Sequence, residues 1–224
     1  MAEAPAPARR SAAARSPLFA WAILLTAGVS WGATYSLAKL ATQDGAHPLG
    51  IALWQGVIGA TILGTVEAAR RRKLPLDRRH LLFYLVCGLL GTALPSTLYY
   101  YAAPHLPAGV LSITLGLTPL LTFAGAVLLK LDRYAPGRLL GVFLGVAAVL
   151  MIALPDASLP ERTAAIWVVA ALAAALSYAA ENLIIAKFRP RSTQSLTILF
   201  GMMMVATLAL VPIVLATGSF VPLA

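Results

Sequence analysis

The chain has 224 residues, of which 60% are hydrophobic and 11% charged, with a mean hydropathy of +0.84. Soluble domains carry about 25% charged residues and disordered chains are polar and highly charged, so both classes are excluded. A single cysteine, Cys87, precludes an intrachain disulfide and a multi-cysteine metal site, and His47, His80 and His105 form no two-ligand motif, so no metal and no cofactor is expected.

Residues 1–16 are rich in Ala, Pro and Arg and read as a cytosolic tail. Apolar runs follow. Crossing a hydrocarbon core of about 30 Å takes about 20 helical residues, and seven segments are predicted to do so: 18–37, 49–66, 81–101, 106–129, 139–154, 164–186 and 196–216. The fifth is short and gains length if Gly137 and Arg138 open the helix and the arginine snorkels. The fold class is therefore all-α, a polytopic membrane helix bundle.

Small residues that permit close helix approach in lipid punctuate these runs. Gly28 and Gly32 stand in the first span, Gly88 and Gly91 in the third ahead of Pro95, and Gly137, Gly141 and Gly145 form a stripe on the fifth. Tyr99, Tyr100 and Tyr101 follow Pro95 near the outer boundary, where an interfacial belt and a cavity rim both account for them. Pro119, near the middle of the fourth span, has no N–H for the carbonyl of Leu115 and predicts a kink or opened backbone. Freed carbonyls at membrane depth are tolerated facing protein or a wet cavity; a simple packing bend is the other reading.

With the N-terminus in the cytosol and alternating sides, 15 of the 17 basic residues fall inside. They include Arg70, Arg71, Arg72, Lys73, Arg133, Lys187 and Arg189, and only Lys39 and Arg162 fall outside. This is a positive-inside bias over short loops. It makes the basic residues topology anchors with some attraction for anionic lipid, and nucleic acid is not an expected partner. The cell inner membrane is the expected location.

Ser30-Trp31-Gly32-Ala33-Thr34 is echoed by Ser177-Tyr178-Ala179-Ala180-Glu181, with Lys39 and Lys187 following at nearly the same distance. Five spans separate the starts, so the second unit enters the membrane from the opposite face. That is an inverted-topology repeat of the kind secondary transporters use, and it pairs Thr34 with Glu181.

Several stretches carry a resemblance: Trp31-Gly32-Ala33 with Lys39, Tyr99-Tyr100-Tyr101-Ala102 running to Pro107-Ala108-Gly109, Leu117-Thr118-Pro119-Leu120-Leu121-Thr122, Leu129-Lys130-Leu131-Asp132-Arg133, and Gly141 with Gly145. In these the chain resembles the drug/metabolite transporter superfamily, specifically the EamA-like family of ten-helix carriers. The resemblance implies transport of small metabolites or drugs, with export expected, by alternating access through a cavity built from two repeats. It divides the chain into one complete five-helix repeat (17–154), two helices of an inverted second repeat (164–216) and an outer C-terminal tail (217–224). A ten-helix pattern implies that three helices are missing, through truncation or supply by another protomer, which leaves self-association open. The rival class is a membrane-embedded structural protein or inactive partial carrier. No Gly-rich phosphate loop or triad supports an enzyme.

Candidate pathway residues are Trp31, Thr34, Pro95, Tyr99, Pro119, Tyr178, Glu181 and Asn182. Glu181 is the sharpest, because a carboxylate facing lipid costs about 2.5 kcal/mol or more. Three readings stand: a substrate or proton path, a structural lock with a basic residue of another helix, and snorkelling to the interface.

Overall fold

A computed structural model describes residues 17–153 and 165–220. The expected tail 1–16, the link 155–163 to the sixth predicted span and residues 221–224 of the expected outer tail lie outside these residues. The chain divides into two compact units, Met1–Thr34 and Tyr35–Ala224. All regular structure among the described residues is helical.

Helix α1 (Pro17–Gln43) begins in the first unit and ends in the second. Within the first unit, its hydroxyls return to its own backbone, Thr26 to the Ala22 carbonyl at 2.8 Å and Thr34 to that of Ser30 at 3.1 Å. An apolar helix thereby satisfies its few polar side chains internally.

In the second unit, α2 (Pro48–Ala69) starts with Pro48, whose missing N–H costs nothing there, and with His47 Nδ1 accepting from the Leu49 N–H at 3.3 Å. It ends where Arg71 turns left-handed at φ 52°, letting the Arg72 N–H reach the Glu67 carbonyl. The third span, Arg78–Ala102, is three pieces: α3 (Arg78–Gly88), a π turn (Leu89–Ala93) and α4 (Leu94–Ala102). Asp77 caps α3. Desolvation raises its carboxyl, but hydrogen bonds with His80 and the imidazole charge outweigh that and hold it below its ordinary value.

The fourth span is broken at Leu117 into α5 (Ala108–Gly116) and α6 (Thr118–Leu128), with Pro119 in the first turn of α6. The opened backbone expected at this proline is therefore present. Helix α7 (Pro136–Ala153) follows, then α8 (Ala165–Phe188) and α9 (Ser195–Thr217). Among the described residues six helices are long and apolar enough to cross a membrane, and the fifth predicted span falls on α7, a shorter apolar helix. The chain is a polytopic helical bundle.

The core forms where α8 and α9 pack into the earlier helices. Helix α8 lies chiefly against α4, α6 and α5, and α9 against α2 and α3. Ala171, Ala174, Ala175 and Ala179 are buried on α8, and their small side chains bring its backbone close to its neighbours. Along α2, Gly56 faces Thr207, Gly59 faces Met203 and Gly64 faces Phe200 of α9. Rising numbers on one helix meet falling numbers on the other, so α9 runs antiparallel to α2. This glycine seam differs from the ones read in the sequence.

Candidate functional site

The site lies where α8 crosses the broken third span. Pro95 has no N–H for the Gly91 carbonyl and its ring crowds that turn. The backbone widens, and the Leu94 N–H reaches back to the Leu89 carbonyl, one residue further than in an α-helix. Ser177 and Glu181, one turn apart on α8, both face this widened turn. Ser177 Oγ donates to the Leu90 carbonyl at 2.6 Å. The Glu181 carboxylate rests on Gly91, where a Cβ would occupy the same space. Gly91 is thus the floor of the site, midway along the span.

This depth and direction separate the three readings of Glu181. The half-buried carboxylate is turned into the protein, against the middle of a neighbouring span, and so does not snorkel. Ion pairs among the described residues join Asp77 to His80 and Asp132 to Arg138. Glu181 belongs to neither, so the lock with a basic residue of another helix is not formed. Its neighbour Asn182 turns to α6, where Nδ2 donates to Thr122 Oγ1 at 3.5 Å. Cys87 is fully buried one turn before Gly91.

A family model described as the EamA-like transporter family matches residues 18–154. The chain belongs to that family. No curated protein and no solved structure matches it significantly. The EamA-like family is one of membrane transporters, which makes this chain a multi-pass membrane protein that handles small solutes in a lipid environment. The matched stretch runs from α1 through α7, and α8, which carries Glu181, follows it.

The other predicted residues of this EamA-like chain are dispersed. Pro95 and Tyr99 are buried on α4, beside the site, and Tyr178 is half-buried on α8. Pro119 stands at the start of α6. Trp31, Thr34, Gly28 and Gly32 belong to the first unit. Tyr99 and Tyr100 are 5% exposed, and the Tyr100 hydroxyl donates to Gln55 Oε1 at 2.9 Å. An interfacial belt is thus excluded for these two, whose rings are held in the core. On α7, Gly145 lies under Leu120 and Leu117, Gly141 is 4.0 Å from Leu120 for an added Cβ, and Gly137 has open space. The anchors Arg70, Arg71, Lys73, Arg133, Lys187 and Arg189 are exposed, whereas half-buried Arg72 bonds Gln194 Oε1 at the start of α9.

Sequence reasoning missed a second acid. Glu67 is 3% exposed near the end of α2 and accepts from Thr197 Oγ1 of α9 at 2.5 Å, while its other oxygen has no hydrogen-bond partner among the described residues. One helical turn from Thr197, Gly201 lies under the Tyr84 ring, and His80 Nε2 meets Thr193 Oγ1 at 2.8 Å. The start of α9 is thus pinned to α2 and α3 by side-chain hydrogen bonds. The available signal was helical spacing: Gly56, Gly59, Gly64 and Glu67 share one face of α2.

Proposed function

We propose that the chain carries small metabolites or drugs across the cytoplasmic membrane by alternating access, working as an exporter, with its N-terminus in the cytosol. The observation that carries this reading is Glu181 of α8 set against the widened turn of the third span. A carboxylate held at that depth without an ion pair among the described residues suits a solute path better than a packing contact, because ionisable groups inside a membrane are expensive. Broken helices at mid-depth are the usual construction of transporter sites, and the Leu89–Ala93 turn and the break at Leu117 are two such places.

The antiparallel seating of α9 on α2 supports reading α8 and α9 as the start of an inverted second repeat. Motion of these two helices against the first repeat would then alternate the exposure of Glu181. The hydrogen bonds of Thr197 to Glu67 and of Thr193 to His80 hold the end of that interface carrying the basic loops, which the charge bias assigns to the cytosol.

The test is an uptake and efflux screen of small metabolites in vesicles containing the intact gene product. Saturable flux of at least one solute class, with faster efflux from the cytosolic side, is expected. No solute flux at any pH would refute the carrier reading.

A further inference from the structure

What Ser177 and Glu181 present to the widened turn is one-sided in its chemistry. The carboxylate offers acceptors only. Ser177 has committed its proton to the Leu90 carbonyl, so what its oxygen has left is acceptor capacity. In the widened turn the Leu94 N–H goes to the Leu89 carbonyl, and Pro95 has no N–H for that of Leu90, which Ser177 serves instead. The amide that follows Glu181 in the sequence, Asn182, is directed to Thr122 on α6. Along α8 the first basic side chain after Glu181 is Lys187, exposed in the last turn. A negative charge and a hydroxyl oxygen therefore face the π turn from α8, with no cation paired to them among the described residues.

We propose that Glu181 and the Leu89–Ala93 turn form a binding site for a small monovalent cation: the ammonium group of an amine solute or a free alkali ion. Either brings what Glu181 and Ser177 do not supply, a positive charge and, for ammonium, three donors for the carboxylate and hydroxyl oxygens. Unwound backbone beside a carboxylate at mid-membrane depth suits such a guest, which exchanges its water for fixed oxygens. Gly91 is part of the site because any side chain there displaces the carboxylate. The same geometry disfavours anionic solutes, which would meet the carboxylate without a compensating cation.

The proposal rests on reading α8 as lining the solute path. It is tested by equilibrium binding to the purified full chain in lipid nanodiscs, with radiolabelled methylammonium and radiolabelled sodium as separate probes. Saturable binding of at least one probe is expected, weakened about tenfold or more, equivalent to about 1.4 kcal/mol, by Glu181→Gln. Saturation by methylammonium alone identifies the ammonium of a solute, and saturation by sodium identifies a free ion. Glu181→Asp keeps the charge and is expected to retain part of the affinity, so that if the glutamine variant is not monodisperse the aspartate variant and Gly91→Ala decide the matter. Binding of neither probe by the wild-type chain, or equal binding by wild type and every variant, overturns the proposal. Flux without cation binding would sink this inference and leave the carrier reading intact. Cation binding without flux would do the reverse.

Discussion

Glu181→Ala and Glu181→Gln are each expected to cut solute flux in vesicles by about tenfold or more, while leaving the purified protein monodisperse. The expectation follows from where the carboxylate stands. Its side chain lies on the open turn at Gly91 and carries no ion pair among the described residues, so its removal breaks no salt bridge there. A charged group of a solute about 4 Å away interacts with it by about 4 kcal/mol at an effective dielectric of about 20, partly offset by desolvation. Even one third of that corresponds to about tenfold in an equilibrium. The glutamine variant separates function from packing, because it keeps shape and hydrogen-bonding capacity and removes only charge. Flux preserved in Glu181→Gln but lost in Glu181→Ala would show a packing residue. Flux preserved in both would remove Glu181 from the path.

Gly88→Ala is expected to destabilise the bundle by about 1–3 kcal/mol, the usual cost of overpacking a filled interior. A Cβ at Gly88 would stand 2.5 Å from the Met202 carbonyl oxygen of α9, and 3.4 Å from the Ala206 nitrogen. These are backbone atoms, so no rotamer change relieves the clash and α3 must move away from α9. That shift also disturbs Tyr84, whose ring covers Gly201 on the same helix face. Gly116→Ala is the matched control, because a Cβ there meets nothing within 4 Å. The measurement is the temperature at which half of the detergent-solubilised protein loses its monodisperse peak. A clear drop for Gly88→Ala against an unchanged or raised midpoint for Gly116→Ala is expected, and equal midpoints would contradict the packing described.

The spans were legible because in lipid a helix must be long, apolar and internally bonded, and runs of that kind are visible without neighbours. The break at Leu117 was legible from Pro119 for the same local reason. The π turn was half legible: Gly91 and Pro95 stand four residues apart, but only the packing of α8 shows that the space at Gly91 is filled by Glu181. Glu67 was hidden by its surroundings. It sits at the end of an apolar run, three residues before Arg70, where an acid reads as interfacial, and only the approach of α9 makes it buried. Tyr99 and Tyr100 misled in the opposite direction, because aromatics near a boundary suit an interface until a helix such as α8 covers them. In each case what was missing was the identity of the helix packed against the residue, which periodicity along one span does not contain.

In the arrangement proposed here, α8 and α9 enter the membrane inverted relative to α1 and α2, so that the loop between α1 and α2 and the loop between α8 and α9 open on opposite sides. Asp44 and Ser192 are exposed in those two loops. In cells expressing the chain with Cys87 replaced by alanine, a single cysteine at Asp44 is predicted to react with a membrane-impermeant maleimide added outside. A single cysteine at Ser192 is predicted to react only after the membrane is opened. Labelling of both positions from the same side would contradict the inverted arrangement and, with it, the route past Glu181.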